Sequence, residues 1–193
     1  MVADDDRRTA SGQGAARDSA GIGASRRFVS LSAEATQQLA AALGRGAHAG
    51  LVIALDGDLG AGKTTFVRGL AQGLGADEAE VASPTYTLMH EVPGRLTLYH
   101  FDAWMSGREE AFLADGGAEL MLAGGVAAIE WAERVVDYLP GDRLDVRLGH
   151  RSPEERTIEL CARGADERIR RLLSGLEASE GLRELGQGME PSP

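Results

Sequence analysis

Asparagine is absent from the 193 residues, and lysine occurs once, at Lys63. Without Asn, the Asn-Lys-x-Asp loop that reads guanine in Ras-like GTPases cannot be built. The Asn-bearing metal site of protein kinases is excluded for the same reason. Cysteine also occurs once, at Cys161. That excludes an internal disulfide and any multi-cysteine zinc site. Cys161 falls in an alternating apolar run, where a buried, inert thiol is expected. No stretch approaches the roughly 18 apolar residues that a membrane helix needs. The start of the chain carries Asp4-Asp5-Asp6 instead of an apolar core, the wrong chemistry for a secretory signal. Positive charge is scarce: 20 Lys and Arg stand against 30 Asp and Glu, for a net charge of −10. Such an acidic chain lacks the clustered cations needed to displace counterions from nucleic acid or an anionic membrane. A cytoplasmic protein with no membrane contact is expected.

The single lysine lies inside Gly57-Asp58-Leu59-Gly60-Ala61-Gly62-Lys63-Thr64. This matches the phosphate-loop pattern G-x-x-x-x-G-K-[ST] in full. A compact ammonium threads between β- and γ-phosphate oxygens where a planar guanidinium does not fit. The glycines let successive backbone N–H groups turn inward as an anion nest, and the following helix adds its positive dipole end. Thr64 offers a hydroxyl to Mg²⁺, and Thr65 one to an α-phosphate. With no guanine reader, ATP is the expected nucleotide.

Residues 1–25 are poor in large apolar side chains and predict a disordered tail. Arg26–Leu31 reads as a first strand, Ser32 as an N-cap, and Ala33–Ala47 as a helix. Leu51–Leu55 is a continuous apolar run, the mark of a buried parallel strand. A helix follows the Gly-rich loop to about Gly73. Val81–Val92 is extended and Thr-rich. Leu96–Phe101 and Val126–Ile129 read as strands ending at Asp102 and Glu130, with helical and loop-like sequence between them. Ala132–Tyr138 predicts a helix. Arg143–Leu148 and Arg156–Ala162 alternate apolar and charged residues, as in an antiparallel hairpin with one wet face. Asp166–Leu185 predicts a charged amphipathic helix with a frayed end. The expected fold is α/β, a P-loop NTPase-like three-layer sandwich, mostly parallel with a C-terminal antiparallel hairpin. The domain spans 26–164, and residues 165–193 form a C-terminal helix and tail.

Asp102 and Glu130 are placed at the carboxyl tips of predicted parallel strands, the edge where open α/β sheets bind ligands. Two carboxylates there suit Mg²⁺ held partly through water, and can polarise an attacking water. The alternative for each is a helix-cap or loop carboxylate. Thr85, in Ser83-Pro84-Thr85-Tyr86-Thr87, is placed to sense a γ-phosphate, or else sits in a β-rich turn. Trp131 offers a ring for base stacking or for packing, and Tyr99 is expected to pack. Arg134 suits either a local ion pair with Glu130 or a catalytic role. His100 suits either orienting Asp102 or a place in the core.

Four blocks in order, Gly57–Thr65 (GDLGAGKTT), Ser83–Leu88 (SPTYTL), Tyr99–Asp102 (YHFD) and Ile129–Arg134 (IEWAER), resemble the TsaE family, also called YjeE. The resemblance covers roughly residues 28–162. It implies a small P-loop ATPase needed to make N6-threonylcarbamoyladenosine at tRNA position 37. It also implies partners TsaD and TsaB, with tRNA met only indirectly through that complex, and a chain that is monomeric alone. By match, Lys63, Thr64 and Thr65 bind nucleotide and Mg²⁺, and Thr85 is the switch threonine. Asp102 is the Walker-B-type acid, Glu130 a Mg²⁺ or catalytic carboxylate, and Trp131 adjoins the nucleotide. After Asp102 the family continues with one residue and then Tyr-Arg, whereas this chain has Ala103-Trp104-Met105. Two other readings share the scaffold. A small-molecule kinase needs a lid with several arginines, and residues 103–125 offer only Arg108. A nucleotide-gated module without hydrolysis would not need the carboxylates.

Overall fold

The structure, a computed structural model, describes residues 22–81, 89–104, 107, 119 and 124–186. The elements in chain order are β1 (Ile22–Ser30), α1 (Ala33–Gly46), β2 (Leu51–Asp56), α2 (Lys63–Gly73), β3 (Met89–Val92), β4 (Leu98–Asp102), β5 (Val126–Glu130), β6 (Arg143–His150), β7 (Arg156–Arg163), α3 (Glu167–Ser174) and β8 (Leu182–Leu185). The strands form one sheet in the order β3-β4-β5-β2-β6-β7-β1-β8. Its centre, β4-β5-β2-β6, is parallel. Both flanks are antiparallel, β3 on β4 at one side and β7, β1 and β8 at the other.

The continuous apolar run of β2 is explained by burial on both faces. Leu51, Ile53 and Leu55 enter the large core with Leu39, Leu43, Phe66 and Leu70 of the helices. Val52 and Ala54 point the other way, into a smaller cluster with Phe101, Ile129 and Val135. Ser32 caps α1 as its residue type predicts, accepting from the Ala35 N–H at 3.1 Å. Arg95 closes the other end of α1, donating to the carbonyls of Gly44, Arg45 and Ala47.

Helices α1 and α2 touch through glycine. A Cβ at Gly69 would stand 2.3 Å from the Gln37 carbonyl oxygen, one at Gly73 2.2 Å from that of Ala41, and one at Gly44 2.5 Å from that of Leu70. These are backbone atoms, which cannot rotate aside. Alanine at 73 gains about 1 kcal/mol of helix propensity but must push the helices apart. Against an overpacking cost of about 1–3 kcal/mol, the expected net loss is up to about 2 kcal/mol, or up to roughly 8 °C in Tm. Thermal unfolding of Gly73→Ala followed by circular dichroism checks this. Gly141→Ala is the control, because a Cβ there meets nothing within 4 Å.

Four expectations change. The first strand begins at Ile22 rather than Arg26, because pairing with β7 extends back to Ile22↔Arg163. Ala132–Tyr138 forms two 3₁₀ turns, Ala132–Arg134 and Val136–Tyr138, rather than one helix. The left-handed Trp131 before them (φ 59°) and the break at Val135 prevent a continuous α-helix. The C-terminal helix stops at Ser174, and the segment expected to complete it becomes β8. Gly181 (φ 78°) turns the chain onto β1, where Glu184 meets Arg26 through two hydrogen bonds of 2.8 and 2.7 Å. Finally, the antiparallel part of the sheet is wider than one hairpin. Among the described residues no helix is long and apolar enough to cross a membrane.

Candidate functional site

The loop from Gly57 to Gly62 joins the tip of β2 to the start of α2. Gly57, Gly60 and Gly62 have φ of 140°, 76° and 104°, a backbone that side chains disfavour. Gly57 is also fixed by space, since a Cβ would sit 2.2 Å from the Leu148 carbonyl oxygen. At Gly60 and Gly62 the nearest atom to such a Cβ lies 3.8 Å away, so the loop keeps open room there. Ala61 is buried and its N–H closes a turn onto the Asp58 carbonyl at 3.1 Å. Leu59 projects outward, 78% exposed. From the β6–β7 side, His150 and Arg156 contact the carbonyls of Leu59 and Gly60 at 3.2 and 3.4 Å.

Lys63 is 5% exposed. Its ammonium donates to the carbonyls of Gly57 at 2.6 Å and Asp58 at 3.0 Å. It also lies 3.5 Å from the centre of the Trp131 ring. Burial pushes its pKa down, while Glu130, Glu133, Asp102 and Asp58 act in the opposite sense.

Asp102 and Glu130 are register partners at the tips of adjacent parallel strands β4 and β5, so the two expected acids are brought side by side. Both are buried, at 4% and 3% exposure. The Thr64 hydroxyl donates to both Glu130 carboxylate oxygens, at 2.8 and 3.1 Å. Asp102 accepts from the Trp104 N–H at 2.9 Å. Asp56, at the tip of β2, accepts from the Glu133 N–H at 3.0 Å, tying the loop's first strand to the 132–134 turn. Burial, then the neighbouring Glu133 carboxylate, pushes the Asp56 carboxyl up to about 7.

These groups fit a phosphate chain with a hard divalent cation. Hydroxyl and carboxylate oxygens are magnesium donors, and two buried like charges at one edge invite a cation between them. Among the described residues no three His, Cys, Asp or Glu side chains cluster closely enough to hold a metal by themselves. Phosphate and water oxygens must then complete the shell, as is usual for Mg²⁺.

Several residues take one of the alternatives that residue type left open. His100 takes the place in the core that was one of its two alternatives, and there it bonds Glu130. Arg134 lies over the Trp104 ring at 4.7 Å and donates to the Trp104 carbonyl at 2.6 Å, a place outside the two alternatives of an ion pair with Glu130 and a catalytic role. Trp131 packs on Trp104 with ring centres 4.5 Å apart. Tyr99 packs beside the smaller cluster as expected. Thr85 lies outside the described residues. Cys161 is half-buried, and burial pushes its thiol pKa up. Arg156 and the Asp56–Glu133 tie were not foreseen, and neither carries a local signal.

Beside the loop, a groove of about 460 Å³ runs between the start of α1 and the β6–β7 turn, lined by Ser32, Thr36, Gly60, Gly62, Thr65 and Arg156 among others. A glycine-built loop from a buried parallel strand into a helix, with carboxylates on neighbouring strand tips, defines a P-loop α/β protein. The family model described as threonylcarbamoyl adenosine biosynthesis protein TsaE matches residues 30–158. The chain belongs to the TsaE family. It is 47% identical over 122 residues to the tRNA threonylcarbamoyladenosine biosynthesis protein TsaE of Treponema pallidum, covering 63% of this chain and 90% of the relative. The protein of that name from Bacillus subtilis is 39% identical over 132 residues, covering 68% and 82%. The crystal structure of Bacillus subtilis YdiB superposes with a TM-score of 0.65 at 32% identity, covering 78% of this chain and 93% of that one.

Proposed function

We propose that the chain is a cytoplasmic accessory ATPase of tRNA threonylcarbamoyladenosine synthesis. It binds ATP with Mg²⁺ and hydrolyses it slowly to support turnover of a TsaD–TsaB complex, meeting tRNA only through that complex. The observation that carries this reading is the Thr64–Glu130 hydrogen bond at the head of α2, beside the buried Lys63. It joins the loop's hydroxyl to a strand-tip carboxylate, the pair that would hold the cation, with Asp102 alongside. Mg²⁺, when bound, neutralises charge on the β- and γ-phosphate oxygens. Lys63 exchanges its carbonyl partners for phosphate oxygens. Thr65 faces the groove, which suits the nucleoside end. Glu130 is the acid placed to orient water.

Slow turnover alone follows from where the nearby arginines are engaged. Arg134 is drawn onto Trp104, and Arg156 donates to the carbonyls of Ser152, Pro153 and Glu155. Arg156 does reach the loop, at the Gly60 carbonyl 3.4 Å away, but those other carbonyls hold it, so a partner must complete the charge stabilisation that phosphoryl transfer needs. The test is reconstitution on unmodified tRNA with TsaD, TsaB, threonylcarbamoyl donor and ATP. Modified nucleoside measured by mass spectrometry is expected to exceed one equivalent per complex only when this chain and ATP are both present. Equal yield without the chain would remove the accessory role.

A further inference from the structure

His100 lies in β4 and is wholly buried. Its Nε2 is 2.9 Å from Glu130 Oε1, the same oxygen that accepts from the Thr64 hydroxyl. Among the described residues its Nδ1 is buried with no hydrogen-bond partner. A carboxylate only accepts, so the contact puts a ring proton on Nε2 and leaves Nδ1 unpaired. A buried polar nitrogen without a partner is unfavourable. An aliphatic side chain would fill this slot, opposite Ala128 and two residues from Leu98, without that cost. The ring's single bond to Glu130 is what sets it apart from such a filler.

We infer that His100 is a positioning residue for Glu130. Its Nε2–H holds one carboxylate oxygen, and the Thr64 hydroxyl then spans both. The chain of contacts runs from β4 through β5 to α2, fixing the carboxylate against the loop from two directions. Without the imidazole donor, Glu130 keeps one tether and turns freely about its last torsion. This inference rests on the proposed ATP–Mg²⁺ site. It concerns how the acid is held, which can be read without nucleotide.

Three substitutions separate positioning from packing. His100→Leu keeps the volume and removes the donor. His100→Gln places an amide N–H close to where Nε2 stood. His100→Asn reaches only as far as Nδ1. Expected in the leucine variant is a 10- to 100-fold fall in kcat or Mg²⁺ affinity, the usual range for an outer-shell ligand holder, with metal-free nucleotide affinity unchanged. Glutamine should recover most of that loss and asparagine little, at matched Tm. In ¹⁵N-labelled wild type without nucleotide, NMR should show His100 protonated at Nε2, with slow exchange and a contact to the Thr64 or Glu130 side chain. A ring with no proton on Nε2, a fast-exchanging ring, full activity in His100→Leu, or a glutamine variant as poor as leucine would each overturn the inference. Should the wild type bind no nucleotide, the proposed function fails, and the NMR result still decides whether His100 holds Glu130.

Discussion

Lys63→Ala is expected to weaken Mg–ATP binding by about 100-fold or more. A charged hydrogen bond to phosphate contributes about 1.5–3 kcal/mol, and each 1.4 kcal/mol is about tenfold in affinity. Lys63 is the one cation among the loop's own residues, and it faces Glu130, Glu133, Asp102 and Asp58. Its removal leaves incoming phosphates opposite carboxylates alone, which adds repulsion to the lost attraction. Lys63→Arg should do little better. The ammonium sits 2.6 Å from a loop carbonyl and 3.5 Å from an indole, a slot too tight for a guanidinium fork. Calorimetric titration of both variants with a non-hydrolysable ATP analogue measures the effect. An affinity within threefold of wild type in Lys63→Ala would place the phosphates elsewhere.

Glu130→Gln is expected to separate binding from turnover. The amide is isosteric, and its oxygen can still accept from Thr64 and His100, the two donors that Oε1 serves now. What it loses is the negative charge and the basic lone pair. Metal-free nucleotide affinity should therefore stay within a few-fold, while hydrolysis falls by about 10²–10³, the scale on which a positioned acid or base acts. Single-turnover phosphate release in the presence of TsaD and TsaB reads the step itself. Asp102→Asn is the comparison. Its amide oxygen can keep the Trp104 N–H, so the turn after β4 survives. If Asp102→Asn loses hydrolysis and Glu130→Gln does not, the two acids exchange roles.

The phosphate loop was legible because its chemistry is local. One contiguous stretch supplies the turn, the ammonium and the hydroxyl. The strand-tip acids were legible for a related reason: each ends an apolar run, and the pattern of buried parallel strands fixes which edge they share. Contacts that depend on which strands become neighbours were not legible. His100 and Glu130 are 30 residues apart and meet only because β4 and β5 pair in register. The indole pair joins residues after two different strands. β8 was read as helix because Ile169, Leu173 and Leu176 do keep a helical spacing. The helix ends at its Gly175 cap, and what makes the later segment a strand is a sheet edge, offered by β1 and invisible in the local pattern.

The glycine contact between α1 and α2 reaches beyond stability. Gln37 and Gly69 meet one turn from the residues that wall the groove beside the loop, Ser32 and Thr36 on one helix and Thr65 on the other. Main chain rests on main chain there, so no rotamer change can shift one helix against the other. That wall of the cleft is therefore preorganised: a guest resting on it forfeits little of the host's conformational entropy.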